Sequence, residues 1–205
     1  MDEPTLESLR ALLRRVSRNG MTFTPDFSMN DWNRLQVAAH PYPELSSVQR
    51  DSLRGIKAVD GGSLTYWPCK ALLSSGESQD CVYVVRASEW YPHWGVWPTD
   101  DAGKHELPLS TVVKFEDSPS RLPAHFANAL YREGESGMGY TLFEIEFTDG
   151  TRVAYGNGNA IDFLTYPPGK SGRDIAAVKA HAGRDAPHPF GPPDYRWCLF
   201  SGPAI

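Results

Sequence analysis

The sequence lacks the features that would place the protein in a membrane or build it on disulfides. No stretch approaches the roughly 18 consecutive apolar residues that a membrane-spanning helix needs. The first residues, Met1 to Pro4, are acidic and contain no apolar signal core, so we expect a cytoplasmic protein without membrane association. The three cysteines, Cys69, Cys81 and Cys198, are widely spaced, which disfavours a disulfide framework and a zinc ribbon, and the apolar stretches around Cys81 and Cys198 predict buried free thiols there.

The chain also lacks an excess of basic residues. Its formal net charge is −5, whereas a face that binds nucleic acid is usually basic, so we expect no nucleic-acid partner. The local exception is Arg10, Arg14 and Arg18, which share one face of a predicted helix. A solvated helix face is the preferred interpretation of these arginines, and a contact with an acidic protein is the alternative.

The composition that is present is that of a folded domain. Hydrophobic residues make up 40% and charged residues 22% of the 205 residues, which is enough to bury a core. We predict a single domain over residues 1–205, with a helical N-terminal lobe at 1–60 and an antiparallel sheet with two helices at 61–205. Because helices and strands come in blocks, we predict an α+β fold, an antiparallel β-sheet covered by helices.

Apolar spacing and turn residues define the individual elements. In the N-terminal lobe they predict three helices: one ending at Asn19, one opened by a capping box at Ser28 and Asp31, and one over residues 44–59. In the rest of the chain they predict strands at 63–67, 81–90, 111–116, 160–166 and 195–200, a helix at 120–132 and a short helix that begins at 171.

The most specific local prediction is an antiparallel hairpin across residues 140–155. Residues 143–147 alternate apolar and acidic side chains, as in a strand with one buried face. Asp149 and Gly150 form a preferred pair for a two-residue type I′ turn. The turn sets a register in which Thr148 opposes Thr151, Phe147 opposes Arg152, Glu146 opposes Val153, Ile145 opposes Ala154 and Glu144 opposes Tyr155.

Two groups of side chains are candidates for chemistry. Glu144 and Glu146 face the same side of a strand roughly 7 Å apart, which suits acid–base catalysis, although an exposed strand face explains them more simply. His181, Asp185 and His188 have the donor atoms of a transition-metal site. Because glycine and proline interrupt that segment, no regular element fixes these three as ligands, and the preferred interpretation is a protein with no metal and no cofactor.

Two glycine-containing motifs do not predict catalysis. Residues 156–160 follow a strand but lack the third glycine and the helix of a dinucleotide-binding loop. Ser136 lies between a predicted helix and a predicted strand, the reverse of a nucleophile elbow, so we do not predict it as a nucleophile.

The most unusual segment runs from residue 89 to residue 98 and contains three tryptophans. Prolines interrupt it, so we expect several rings to emerge on a loop or an edge strand, where tryptophan and tyrosine are common interface anchors. The preferred interpretation of that loop is still that its rings complete the core, because aromatic side chains bury much area, and the binding role is the alternative. The predicted binding residues are Trp90, Tyr91, His93, Trp94, Trp97, Asp100 and Asp101.

The preferred hypothesis is a non-enzymatic cytoplasmic protein-binding module, such as an inhibitor or a bacterial toxin-immunity protein. An acidic chain of this kind would neutralise a protein partner with a basic surface, and its charges would steer association. The first alternative is a small metal-assisted hydrolase that uses His181, Asp185 and His188, with Glu144 or Glu146 as base. The second is a domain whose small ligand fills a pocket beside the sheet.

Overall fold

The fold is known from a computed structural model that describes residues 28–60, 64–158, 160–203 and 205. The first predicted helix, with Arg10, Arg14 and Arg18, lies outside the described residues. The described part is an α+β fold with antiparallel-rich sheets and flanking helices, as predicted. Its helices are α1 (Met29–Ala39), α2 (Ser47–Arg54), α3 (Ala87–Trp94) and α4 (Ala124–Glu133). Its strands are β1 (Val59–Asp60), β2 (Thr65–Leu73), β3 (Ser78–Arg86), β4 (Val112–Glu116), β5 (Thr141–Phe147), β6 (Arg152–Asn157), β7 (Ile175–Ala180) and β8 (Arg196–Phe200).

The larger sheet is built around β2 and β3. One edge of β2 pairs with β3, and the other pairs with β1 at the start of the strand and with β4 at its end. β8 lies on the far side of β3 and runs parallel to it. A parallel pair is possible here because the chain reaches β8 by a long connection and not by a hairpin. The smaller sheet has the order β6-β5-β7 and is antiparallel throughout.

Both faces of the larger sheet are buried, which explains its strongly apolar strands. Adjacent residues alternate between two core clusters: Trp67 and Cys198 pack on the face that also holds residues of α2, whereas Tyr66 and Trp197 pack on the face that holds residues of α3. The smaller sheet packs its own apolar face against α4. Cys81 and Cys198 are free and buried, as predicted, and so is Cys69.

Capping residues determine where the first two described helices begin. The Ser28 hydroxyl accepts the Asp31 amide at 3.2 Å, and the Asp31 carboxylate accepts the Ser28 amide at 3.0 Å, so the predicted capping box is confirmed. A second capping box, between Ser46 and Gln49, begins α2. The predicted helix over 44–59 is therefore too long at both ends.

Of three other predicted elements, one is present but too long and two are wrong, because tertiary contacts override their local signals. The strand predicted at 81–90 ends at Arg86, since the residues that follow form α3. Residues 160–166 form no strand, and a single bridge between Phe163 and Arg121 holds them. The helix predicted from 171 is one 3-10 turn followed by β7, which pairs with β5.

The hairpin is present, but its predicted register is wrong by one residue. The Gly150 amide donates to the Phe147 carbonyl at 2.9 Å, and the Phe147 amide donates to the Thr151 carbonyl at 2.8 Å, so the loop has three residues. Asp149 does not adopt the positive φ that a type I′ turn requires, whereas Gly150 has φ +84°. A three-residue loop of this kind places its glycine in the left-handed conformation.

The corrected register improves the pairing across the hairpin. Glu146 lies opposite Arg152 and forms an ion pair with it at 2.9 Å. Phe143 lies opposite Tyr155, and the two rings stack with their centroids 5.5 Å apart. Tyr155 therefore belongs to the buried face, where Phe143, Ile145 and Phe147 also lie as predicted.

Replacing Gly150 by alanine tests the hairpin loop. A side chain in the left-handed conformation costs about 1–2 kcal/mol, so we expect Gly150→Ala to lower the free energy of unfolding by that amount in urea denaturation. Gly191→Ala is the matched control, because its Cβ would meet no atom within 4 Å and no positive φ is imposed there. Equal stability of the two variants would contradict this loop geometry.

Candidate ligand-binding site

The aromatic segment around α3 is largely part of the core. The side chains of Trp90 and Trp97 are 0% and 1% exposed, and Tyr91 is also buried. The Trp90 indole N–H donates to the Val96 carbonyl at 2.8 Å, and the Trp97 ring lies 4.8 Å from that of Tyr91. The preferred interpretation, that the rings complete the core, is therefore confirmed for these three, and the expectation that they emerge on a loop or an edge strand is wrong, because α3 follows β3 directly and packs on the sheet.

The other predicted binding residues lie at the surface or close to it. His93 and Asp100 are exposed, whereas Trp94 and Asp101 are half-buried. Lys104 forms an ion pair with Asp101, and its ammonium lies 4.7 Å from the centroid of the Trp94 ring. The hydrogen bond from Lys104 lowers the pKa of Asp101, with a smaller contribution from the Gly103 amide. The Lys104 ammonium thus packs against the Trp94 ring, and this ring forms part of the wall of a pocket.

That pocket, which we call the aromatic pocket, has a volume of about 470 Å³. It opens over the face of the larger sheet that carries Tyr66 and Trp197. Its size falls within the range of small-molecule sites in proteins, roughly 300–1,000 Å³. Its aromatic walls are Tyr66, Tyr83, His93, Trp94, Tyr131, Tyr195 and Trp197, and its other lining residues are Leu64, Gly103, Lys104, Glu135, Gly139 and Ala160.

The sheet and α4 place these rings together. Tyr83 is central: its ring stacks on that of Trp197 at 4.7 Å, and it meets the rings of Tyr66 and Tyr195 edge-on at 5.2 and 5.3 Å. The register of β2, β3 and β8 sets these contacts, since residues on one face of neighbouring strands lie side by side. Tyr131 closes the group from α4, edge-on to Tyr66 at 6.3 Å.

Behind this wall lies a fully buried carboxyl group. Asp162 is 0% exposed, and the Tyr131 hydroxyl donates to its Oδ2 at 2.7 Å. Burial raises the pKa of Asp162 to about 6, although the Tyr131 hydrogen bond and the Arg121 charge favour ionisation. Tyr66 and Tyr83 are also close enough to lower this pKa. Hydroxyls of three pocket-lining tyrosines therefore surround a single carboxyl group.

The backbone of the segment 160–166 holds this carboxyl in place. The Leu122 amide donates to the Asp162 carbonyl at 2.7 Å, and the Leu164 amide donates to the Ser120 carbonyl at 2.9 Å. The sequence prediction placed Asp162 on the polar side of a strand, between Ile161 and Phe163. The available signal was the opposite one, a lone acid within an apolar stretch, Ala160 to Leu164.

Several polar atoms in and behind the pocket wall are left without good hydrogen bonds. Within the described residues, the Tyr83 hydroxyl, the Trp94 indole nitrogen and Asp162 Oδ1 are buried and have no hydrogen bond of good geometry. The Tyr83 hydroxyl still influences the Asp162 carboxyl electrostatically. Buried polar groups without partners are uncommon in native proteins, and a bound ligand is one way to satisfy them.

The histidine cluster does not assemble as a metal site. His181 has one ring nitrogen 2.8 Å from the Ser136 hydroxyl and the other 3.2 Å from the Glu133 carbonyl. His188 uses Nε2 on the Gly183 carbonyl at 2.8 Å, and Asp185 is exposed. In the part of the chain that the structure describes, no three histidine, cysteine or acidic side chains are grouped to hold a metal ion.

Ser136 and His181 have the contact of a nucleophile and its base, which the sequence did not indicate. The Ser136 hydroxyl also accepts the Leu142 amide at 2.8 Å, and neither residue lines the aromatic pocket. The three contacts join the end of α4 to the start of β5 and the end of β7. Their evident effect is to fasten this corner of the smaller sheet. Glu146, one of the two predicted bases, is instead paired with Arg152.

Comparison with known proteins gives no independent information on function. No protein-family model matches the chain, and no curated protein or solved structure is significantly similar to it. None of the described helices is long and apolar enough to span a membrane. The case for a function therefore depends on the aromatic pocket and the groups around it.

Replacing Trp97 tests whether the aromatic segment belongs to the core. Truncating a buried tryptophan typically costs about 3–5 kcal/mol, so we expect Trp97→Ala to lose about that much stability in chemical denaturation. Met138→Ala is the control, because Met138 is 99% exposed and its truncation should change stability by less than about 0.5 kcal/mol. If Trp97→Ala is as stable as the control, the ring is not a core residue.

The pKa of Asp162 predicts an unusual pH dependence of stability. Between pH 3.8, its ordinary pKa, and about 6, the unfolded carboxyl ionises while the folded one keeps its proton. The contribution of Asp162 to the free energy of unfolding is therefore most favourable at low pH and falls by about 3 kcal/mol as the pH rises through this window. Urea denaturation at several pH values should show this loss relative to Asp162→Asn. If the free energies of unfolding of the unmodified protein and of Asp162→Asn change with pH in the same way, the burial of the carboxyl is contradicted.

Proposed function

We propose that the protein is a small-molecule-binding protein whose site is the aromatic pocket. The observation that supports this most strongly is the composition of the wall. Rings from β2, β3 and β8 and from the helices α3 and α4 surround one cavity, and the Tyr83 hydroxyl faces the buried carboxyl without a good hydrogen bond. Mostly apolar walls with a few convergent polar groups are typical of ligand sites.

This proposal develops the third hypothesis from the sequence, a small ligand beside the sheet. The preferred hypothesis, a protein-binding module such as an inhibitor or a toxin-immunity protein, loses three of its anchors, because Trp90, Tyr91 and Trp97 are buried. His93 and Asp100 are exposed and could still contact a partner. A basic protein partner and a cytoplasmic location stay predictions.

The metal-assisted hydrolase has less support. Its proposed ligands do not meet among the described residues, and the Ser136–His181 contact lies outside the pocket lining. Neither observation favours a reaction, so we propose binding and no catalysis.

The pocket can be tested by a ligand screen with a residue-specific signal. A library of small neutral, acidic and basic compounds would be added to ¹⁵N-labelled protein, and the indole N–H signals of Trp94 and Trp197 would be followed by NMR. We expect ligands that move these two signals and leave that of Trp67 unchanged, because Trp67 packs on the opposite face of the sheet. A screen without any such ligand at millimolar concentration would contradict the proposal.

A control variant separates pocket binding from general binding. Trp94→Ala removes a half-buried wall residue and should weaken the ligands found in the screen by about 10-fold, or about 1.4 kcal/mol. Met138→Ala, fully exposed and outside the pocket lining, should leave their affinity unchanged.

A further inference from the structure

We infer that the aromatic pocket selects a small organic cation, a substituted ammonium group on an apolar body. This inference rests on the proposed function and specifies its ligand class. Three observations support a cation over an anion or a neutral molecule: the aromatic wall, the balance of charges around it and a lysine that already occupies part of it.

The first observation is the wall itself. Electron-rich faces of tryptophan and tyrosine attract cations within about 6 Å of the ring centroid. Tyr66, Tyr83, Tyr131, Tyr195, Trp94 and Trp197 all line the pocket. The Tyr131 hydroxyl donates to the Asp162 carboxyl, so this ring is hydrogen-bonded to an acidic group. Aromatic cages with a nearby acid are a recurrent way of binding alkylated ammonium groups.

The second observation is the balance of charge. Glu135 lines the pocket and Asp162 lies behind it, and the pKa of about 6 leaves the Asp162 carboxyl mostly ionised at neutral pH. Two positive groups nearby pair with acids, Lys104 with Asp101 and Arg121 with Asp117, whereas Arg184 donates to the Tyr140 hydroxyl and the Ser136 carbonyl. His93 adds little positive charge, because partial burial lowers its pKa. Two carboxyl groups, Glu135 in the lining and the buried Asp162, therefore stand against one lining lysine that already has an acidic partner.

The third observation is the position of Lys104. Its ammonium lies 4.7 Å from the Trp94 centroid, and its side chain is only 18% exposed although it is a lysine. The pocket wall thus already stabilises one ammonium group of this chain. A ligand cation would use the ring surface left open by the half-buried Tyr131 and Tyr195, which also line the pocket.

A pair of isosteric probes tests the ligand class. Trimethylphenylammonium and tert-butylbenzene have the same shape and differ in charge, and benzenesulfonate serves as the anionic probe. We expect trimethylphenylammonium to move the Trp94 and Trp197 indole signals and to bind at least about 10-fold more tightly than tert-butylbenzene, with no binding of benzenesulfonate. Equal or tighter binding of the neutral or the anionic probe would overturn the inference.

Two charge variants should shift the affinity in opposite directions. Glu135→Gln removes an exposed pocket carboxylate and should lower the affinity for trimethylphenylammonium about 3-fold. Lys104→Gln removes the lysine ammonium from the pocket and should raise the affinity for trimethylphenylammonium about 3-fold. Neither change should alter the affinity of tert-butylbenzene. The control is Glu77→Gln, because Glu77 is an exposed acid outside the pocket lining. If the two charge variants change the affinity for trimethylphenylammonium no more than this control does, the inference is overturned.

The outcome also separates this inference from the proposed function. If none of the three probes binds but the ligand screen yields other ligands at Trp94 and Trp197, the cation class is wrong and the pocket remains a binding site. If the screen also yields none, both proposals fail.

Discussion

The burial of Asp162 is the constraint on which this part of the molecule depends. An ionisable group without contact to solvent is costly unless other polar groups surround it. Here the chain supplies the Tyr131 hydroxyl, the nearby hydroxyls of Tyr66 and Tyr83, and the charge of Arg121. The same three tyrosines line the aromatic pocket. One set of side chains therefore both surrounds the buried carboxyl and forms the wall of the cavity.

The two sheets and α4 are needed to build that arrangement. The larger sheet contributes Tyr66 and Tyr83, α4 contributes Tyr131, and the connection from β6 to β7 in the smaller sheet contributes Asp162. Because each group comes from a different element, the carboxyl has its partners only when the elements are docked. Buried polar networks of this kind are costly when incomplete, and they favour a single arrangement of the surrounding parts.

The sequence was sufficient for elements with strong local signals and insufficient where distant pairing decides. The capping box at Ser28 and the buried side of residues 143–147 follow from nearest-neighbour chemistry, and the structure confirms both. The hairpin register was wrong because Asp149-Gly150 suits two loop types, and the choice depends on the whole strand pair. The pocket was not predictable, since residues as far apart as Tyr66 and Tyr195 line it together. Two of its lining residues, His93 and Trp94, are among the predicted binding residues, but the sequence predicts them as contacts with a protein partner.

The most direct test of the account is the titration of the Asp162 carboxyl carbon by NMR, with and without trimethylphenylammonium. We expect the free protein to give a pKa of about 6, raised by burial, and the bound cation to lower it by stabilising the ionised carboxylate. A pKa near the ordinary 3.8 in the free protein, or one that the bound cation leaves unchanged, would contradict the coupling of buried acid and pocket.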